Sequence, residues 1–314
     1  MTPGKQYKNA DVINRWEGNP LITVEDLWCS CSHICNAAAT KFNGQYLLLV
    51  TIEGMRGIKS IHMTQSRDPY CFAVNCEPFI SSSPTGAFAK YEHYGVLDPK
   101  ITLIDDVYYI TYTALSQYGY RLALAETKDF KTVRKRGFIS EPDTKGGLLF
   151  PEKINGKYVK LEMPKDGRQI WISYSDDLIY WGGYDQIMSP RGGFWDSHKV
   201  GPAVPPIRLK DGRWLLIYYG TKNTSGGPIA RIGAAFLDSD DPGKVIARTN
   251  IPIISPRAFH ERVGDIFNVV SSCGGILEGE KLLLYYGAAN SCICVGTTTL
   301  DEIEEDCIAS EKEF

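Results

Sequence analysis

The sequence lacks the features that mark membrane and nucleic-acid-binding proteins. No apolar run approaches the roughly 20 residues that a membrane-spanning helix needs, and residues 1–16 are polar, without the apolar core of a signal peptide. The formal net charge is -3, and no long basic run occurs. An electrostatic surface for nucleic acid or an anionic membrane is therefore absent. We expect a soluble, cytoplasmic protein that binds neither.

Motifs for nucleotide, metal and serine-hydrolase chemistry are also absent. No segment reads as strand, glycine turn and helix, and no nucleophile elbow occurs. The nine cysteines are an odd number, which favours reduced thiols in the cytosol. Cys29, Cys31, His33 and Cys35 are spaced by two, so on a strand they would share one face, whereas zinc sites use paired ligands across a loop. We predict no metal and no organic cofactor.

Helical patterns are scarce in this chain, although its composition is that of a globular protein. Hydrophobic residues make up 43% and charged residues 23%, which is enough to build a large core. Thirty glycines and 17 prolines leave no convincing long segment with a period of 3.6. The best candidate for a helix is the acidic tail around Asp301 to Lys312. The chain is predicted to be all-β.

A turn pair followed by an apolar and aromatic run occurs five times. The copies are FNGQYLLLV from Phe42, IDDVYYITYTA from Ile104, INGKYVKLE from Ile154, KDGRWLLIYYG from Lys210 and LEGEKLLLYYG from Leu277. Such turns between extended segments indicate β-hairpins, because their residues tolerate positive φ. A second extended segment follows each run. Each unit thus supplies a hairpin and linking strands.

Five copies of one module favour radial repetition. We predict one domain over residues 1–314, a five-bladed β-propeller with a central substrate pocket. The blade repeats are predicted near residues 36–70, 98–130, 148–181, 200–241 and 265–300. A pair of β-sandwich domains is the alternative, since these also have short strands and frequent turns.

Asp98 is the candidate general acid. It precedes Pro99 at the entry to the second repeat, and proline favours an extended backbone in the residue before it. A carboxyl in an apolar pocket has a raised pKa and can donate a proton. The alternative interpretation is an ordinary Asp-Pro turn.

Other polar groups in loops and strand starts could converge on a central channel. They are the segment WDSHK from Trp195, the segment HERVGDIFN from His260, and basic residues that include Arg56, Lys59, Arg121, Arg136, Arg168 and Arg231. Several guanidinium groups facing one channel would bind phosphate. Solvated loops and surface charge pairs are the alternative for each of them.

Five stretches together resemble glycoside hydrolase family 130, the inverting β-mannoside phosphorylases and mannosidases. They are GVLDPKIT from Gly95, LLFPEKINGKYV from Leu148, IWISYSDDLIYWG from Ile170, WDSHKVGPAVPPI from Trp195, and GDIFNVVSSCGG from Gly264 with the following LLLYYGAAN. The similarity runs in order from about Asn19 to Thr299 and is greatest to phosphorylases of β-1,2-mannobiose and 1,2-β-oligomannan. It implies a five-bladed propeller with Asp98 as the single catalytic acid.

The resemblance also implies a reaction and a set of site residues. Inorganic phosphate, the co-substrate, would attack the anomeric carbon opposite Asp98 and give α-mannose 1-phosphate. The implied phosphate contacts are Arg121, Arg136, Lys153 and His198. The implied sugar contacts are Asn36, Arg56, Lys59, Tyr94, Asp196 and Asp265.

The chain departs from the family pattern at Leu97, Lys100 and Glu162, where relatives carry Glu, Arg and a His-Arg segment. Glu162 could therefore weaken the phosphate site or act as a base for water. A β-mannosidase and a non-catalytic carbohydrate-binding propeller stay open as alternatives, and β-1,4-linked mannosides follow β-1,2-linked ones as candidate substrates. A homodimer is a further expectation.

Overall fold

The computed structural model describes residues 11–164 and 168–311, and strands dominate this part of the chain. The strands are β1 (Asn14–Arg15), β2 (Cys31–Phe42), β3 (Gln45–Gly54), β4 (Lys59–Ser66), β5 (Pro78–Ile80), β6 (Gly95–Ile104), β7 (Val107–Ser116), β8 (Gly119–Thr127), β9 (Arg134–Phe138), β10 (Thr144–Leu149), β11 (Tyr158–Pro164), β12 (Ile170–Ser175), β13 (Gly182–Met188), β14 (Lys199–Pro202), β15 (Ile207–Arg208), β16 (Trp214–Thr224), β17 (Gly227–Leu237), β18 (Val245–Arg248), β19 (Val270–Glu278), β20 (Lys281–Ala288) and β21 (Cys292–Thr299). The helices are a 3-10 turn (Val24–Asp26), α1 (Gly86–Tyr91), α2 (Phe259–Arg262) and α3 (Leu300–Glu311). The predicted all-β class is confirmed.

The acidic tail forms α3, as predicted, up to Glu311, and Lys312 lies outside the described residues. In the described part of the chain no helix combines the length and the apolar character needed to cross a membrane.

Most hydrogen-bonded strand pairs are antiparallel neighbours in the chain. Successive strands pair within β10–β13 and within β19–β21, and β1 pairs with β21. Strands β14, β16, β17 and β18 pair in that order, and β15 also pairs with β16. Strands β2–β9 form one sheet, in which a single parallel bridge between Lys59 and Gly95 joins β4 to β6. The chain therefore builds its sheets in sequence order, and its first strand completes the last sheet.

The predicted hairpin turns have the backbone that their residues suggest. Asn43-Gly44, Asp105-Asp106 and Asn155-Gly156 all have positive φ at both positions, the geometry of two-residue turns that match strand twist. Short-range turn chemistry therefore set these hairpins, and the apolar runs after them became the buried second strands of each group.

The apolar core is divided among the spaces between successive strand groups. One cluster joins Leu48 of β3 to Tyr285 of β20, and another joins Leu47 of β3 to Ile110 of β7. A third joins Leu161 of β11 to Trp214 of β16. The strand groups therefore pack face to face against one another.

Three buried carboxylates recur at matching places in different strand groups. Each carboxylate accepts a hydrogen bond from a tyrosine on the second strand of its strand group. It also forms an ion pair with a basic residue on the outermost strand of that group. The clusters are Glu92 with Tyr112 and Lys135, Asp196 with Tyr218 and Arg248, and Glu261 with Tyr286 and Arg15. The tyrosine oxygens lie 2.8–2.9 Å from the carboxylates and the cations 2.6–2.7 Å. Full pairing is what makes burial of these charges tolerable.

Candidate active site

Asp98 lies in a β-bulge near the start of β6. The register of β6 against β7 shifts between Leu97 and Lys100, and Asp98 has φ +53°. The extended backbone expected from Pro99 is therefore wrong for this residue, because the bulge imposes a left-handed conformation that Asp tolerates better than most residues. The Asp98 amide donates to Thr51 Oγ1 at 3.1 Å. Bulges re-aim side chains, and they are frequent next to active sites.

Similar bulges occur in the first strands of two neighbouring strand groups. Strand β2 shifts register around Asn36, with φ +52°, and β10 shifts around Gly146, with φ +62°. Strand β6 contacts both β2 and β10. A Cβ built on Gly146 would lie 3.8 Å from Asp98 Oδ2, so the β10 backbone closes one side of the acid.

The carboxylate of Asp98 faces basic residues. Lys100 Nζ lies 3.2 Å from Asp98 Oδ1, and the Lys100 side chain is only 2% exposed. Lys199, the first residue of β14, also interacts with Asp98. The acid therefore lies beside positive charge carried by different strands.

Lys199 is held among other cations. Burial first, and then Lys145 of β10 and Arg168, lower the pKa of Lys199 to about 8, while Asp98 opposes the change. Repulsion of this kind means that the site gathers more positive charge than its own carboxylate balances. An incoming anion would relieve it.

His198 completes this basic group. Its Nδ1 lies 3.1 Å from Arg168 Nη1 and 3.2 Å from Asn223 Nδ2, so this ring nitrogen accepts hydrogen bonds. Burial, followed by Arg168 and Lys199, lowers the pKa of His198. The imidazole is therefore neutral at pH 7 and orients the Arg168 guanidinium. We call Lys145, Arg168, His198 and Lys199 the basic cluster.

Three predicted phosphate contacts lie elsewhere in their strand groups. Arg121 of β8 donates to the Ser140 carbonyl at 2.9 Å. Arg136 of β9 pairs with Glu126 at 2.8 Å, and Lys153 lies over the Tyr158 ring at 4.3 Å from its centroid. Of the predicted phosphate residues, the structure brings only His198 into the basic cluster.

Some predicted sugar contacts do lie near Asp98. Lys59, Asp98, Glu53 and Asp265 all affect the pKa of the buried Cys35 thiol. Strands β2, β4 and β6 and the loop before β19 therefore lie close together at this thiol. Asn36 directly follows Cys35 and accepts its Sγ–H at 3.2 Å.

The remaining predicted sugar contacts are more dispersed. Arg56 is exposed at the β3–β4 hairpin tip, and Tyr94 is 42% exposed beside Lys59. Asp196 is 0% exposed and belongs to a buried carboxylate cluster, where Arg191 pairs with it as well. Because Asp196 is enclosed by these partners, its role is in the fold and not in contact with a sugar.

Glu162 is also buried. Its Oε2 lies 2.8 Å from Lys160 Nζ, and both side chains are almost inaccessible. Burial raises the pKa of Glu162, and Lys160 opposes this. A carboxylate enclosed in this way does not reach a water at the anomeric carbon, so the structure does not favour Glu162 as the base of a hydrolase.

The Cys29–Cys35 segment does not present one face. Strand β2 begins only at Cys31, and its register shifts between Cys31 and His33. Cys29 and Cys31 lie near Cys76, whereas the charged groups that affect Cys35 are Lys59, Asp98, Glu53 and Asp265. Within residues 11–164 and 168–311, no group of three His, Cys, Asp or Glu side chains is placed to hold a metal ion.

Neither Lys145 nor Tyr219 stands in a sequence motif that predicted a site residue. Tyr219 is half-buried and interacts with Asp98, with its hydroxyl 3.1 Å from Met163 Sδ. Lys145 precedes two glycines at the entry to the third repeat, as Leu97 precedes Asp98-Pro99 at the entry to the second. This matching position at the entry to a repeat is the sequence signal that could have identified Lys145.

Comparison with known proteins gives a consistent picture. The family model for glycoside hydrolase family 130, described as beta-1,4-mannooligosaccharide phosphorylase, matches residues 55–307. A beta-1,2-mannobiose phosphorylase of Listeria innocua is 35% identical over 79% of this chain and 69% of its own length. A 1,2-beta-oligomannan phosphorylase of a Thermoanaerobacter species is 35% identical over 86% of this chain and 91% of its own. The structure of the Listeria innocua beta-1,2-mannobiose phosphorylase with beta-1,2-mannobiose superposes with a TM-score of 0.85, at 29% identity, over 95% of this chain and 99% of that one.

The fold and the site define a carbohydrate-active enzyme with a propeller-like all-β architecture. The chain belongs to glycoside hydrolase family 130. The resemblance predicted from the sequence motifs is confirmed.

Proposed function

We propose that this enzyme cleaves β-1,2-linked mannobiose or short β-1,2-oligomannan by inverting phosphorolysis. The observation that carries the proposal is Asp98 beside the basic cluster, a proton donor next to a site built for an anion. The names of both sequence relatives above specify β-1,2 linkages. The description of the family model supports β-1,4-linked mannosides as the second choice.

The reaction needs one acid and no protein base. Asp98 supplies a proton to the leaving glycosidic oxygen, directly or through a hydroxyl of the bound mannose. A phosphate oxygen bonds to the anomeric carbon from the opposite face as the glycosidic bond breaks. The proton ends on the released sugar and the product is α-mannose 1-phosphate. Phosphate is already anionic at neutral pH, so it needs no carboxylate to activate it, unlike water in an inverting hydrolase.

We assign the phosphate site to Lys145, Arg168 and Lys199, with His198 as the orienting group. These residues interact with one another and Lys199 interacts with Asp98, whereas Arg121, Arg136 and Lys153 have other contacts. Arg168 can bind two phosphate oxygens through its planar fork, and the lysines contribute point charges. Asn36, Lys59 and Asp265 are the best supported sugar contacts, since they share the surroundings of Cys35 and Asp98.

The architecture we propose is one domain of five blades around a central pocket. Strand β2 contacts β6 and β19, β6 contacts β10, and β10 contacts β14, as first strands around an axis would. The single bridge between β4 and β6 supports dividing the largest sheet into β2–β5 and β6–β9. Pairing of β1 with β21 supplies the outer strand of the fifth blade.

We also propose a cytoplasmic location and a homodimer. Eight described cysteines are free thiols, as in a reducing compartment. Large apolar side chains such as Trp28 and Met55 are strongly exposed and would suit a contact between subunits. Light scattering on the purified protein measures the subunit number.

The activity is tested by incubating the enzyme with β-1,2-mannobiose, with and without phosphate, and following products by phosphorus and proton NMR. We expect α-mannose 1-phosphate and mannose only when phosphate is present. Release of mannose without phosphate would make the enzyme a hydrolase. Absence of turnover on β-1,2- and β-1,4-linked substrates would favour a binding protein.

A further inference from the structure

A cavity of about 300 Å³ opens between β17 and the segment after β18. It is lined by Asp11, Trp195, Lys222, Arg231, Ile251, Pro252, Ser255 and Arg257. Its volume is at the lower end of the range for small-molecule sites. None of these residues belongs to the basic cluster or to the surroundings of Asp98.

Positive charge dominates this cavity. Arg231 Nη1 is buried without a hydrogen-bond partner, and burial together with Arg257 lowers the pKa of the Arg231 guanidinium. Arg257 Nε lies 3.0 Å from the Asp11 carboxylate, which also pairs with Arg15 at 2.7 Å. One carboxylate is therefore shared by two other guanidiniums, and Arg231 has no countercharge among the described contacts.

The other lining groups are donors and apolar walls. Trp195 is 7% exposed, and its indole Nε1–H is buried without an acceptor. Ser255 adds a hydroxyl, and Lys222 adds an ammonium that makes no described ion pair. Ile251 and Pro252 supply apolar surface. Buried donors that lack acceptors are costly, so an arrangement of this kind is expected where a ligand supplies the acceptors.

We propose that this cavity is a second anion site, which binds the phosphoryl group of a small phosphorylated sugar. Arg231 and Lys222 hold the phosphoryl oxygens, and Trp195 and Ser255 meet further oxygens of the same ligand. The proposal does not depend on the reaction at Asp98, because no residue is shared between the two sites.

The test measures binding stoichiometry by equilibrium dialysis, using mannose 1-phosphate and inorganic phosphate as separate probes. The wild-type enzyme is expected to bind two equivalents of mannose 1-phosphate. Arg231→Gln and Lys222→Gln should each weaken the second site at least about tenfold, since each removes a charge-assisted contact, and leave the rate of phosphorolysis unchanged. Lys199→Gln should remove the other equivalent. Arg208→Gln is the control, since Arg208 also lies in this sheet but contacts Ser239 outside the cavity.

The outcomes separate the sites and the ligands. Loss of the second equivalent in Arg231→Gln supports the proposal, whether or not the enzyme carries out the proposed reaction at Asp98. Binding of inorganic phosphate but not of mannose 1-phosphate in this cavity would overturn the sugar phosphate as its ligand. A single wild-type equivalent that Arg231→Gln retains, or two equivalents in Arg231→Gln, would overturn the site itself. Without ligand, Arg231→Gln should keep or raise the melting temperature, and a large fall would show that Arg231 serves the fold instead.

Discussion

Replacing Lys199 with methionine should stabilise the ligand-free enzyme while removing its response to phosphate. Burial, Lys145 and Arg168 lower the pKa of Lys199 from 10.5 to about 8. A tenfold change in acidity corresponds to about 1.4 kcal/mol, so holding the ammonium charged at pH 7 costs the folded state about 3 kcal/mol. Methionine keeps an unbranched apolar side chain without the charge. We therefore expect a gain of that order in the free energy of unfolding.

The gain should depend on pH with a definite sign. Between about pH 8 and 10.5 the unfolded chain keeps a proton that folded Lys199 has released, so the wild type becomes more stable as pH rises. The difference between Lys199→Met and the wild type should be largest below pH 8 and vanish near pH 10.5.

Urea denaturation at pH 7 and at pH 10 measures both effects, with and without phosphate. Phosphate should stabilise the wild type and leave Lys199→Met unchanged. Lys157→Met is the control, because Lys157 is exposed and pairs with Asp176 at the surface, where an ion pair is worth at most about 1 kcal/mol. A less stable Lys199→Met at pH 7, or the same difference at both pH values, would refute the reasoning.

Further predictions concern pH, the acid, the bulge and a buried cluster. The KM for phosphate should rise above about pH 8, as Lys199 loses its proton, and a flat profile would exclude Lys199 from the site. Asp98→Asn should lower kcat by about 10² to 10⁴-fold with unchanged circular dichroism, and near-normal release of mannose 1-phosphate would show that the acid is another residue. Gly146→Ala and Gly279→Ala both force a side chain to φ +62° and should each destabilise by about 1 kcal/mol, but only Gly146→Ala should slow turnover, because its methyl group meets Asp98. Equal rates in the two variants would contradict this role of β10. Asp196→Asn should lower stability by about 3–5 kcal/mol in thermal denaturation, since it leaves two arginines without their carboxylate, and a change confined to substrate affinity would contradict the structural role.

The strands and their turns could be predicted because the signals are local. Asn43-Gly44 and Asn155-Gly156 specify tight turns by their own backbone preferences, and the apolar runs beside them specify buried strands. The conformation of Asp98 could not be predicted in the same way. The bulge arises from the pairing of β6 with β7, and this pairing overrides the preference that Pro99 imposes.

The site was only partly predictable, because its charges come together through tertiary packing. The sequence does not distinguish a basic residue on the third or fourth strand of a group, such as Arg121 or Arg136, from one on a first strand, such as Lys145. The buried clusters are equally nonlocal, since Arg15 and Glu261 meet although they lie 246 residues apart. The family resemblance supplied Asp98, and the structure then indicated which cations lie beside it.

A crystal structure of Asp98→Asn with β-1,2-mannobiose and sulfate bound would test the central claim most directly. We expect the sulfate to contact Lys199 and Arg168, with the mannose ring between it and residue 98. A sulfate held by Arg121, Arg136 or Lys153, without contact to Lys199 or Arg168, would contradict the proposed mechanism.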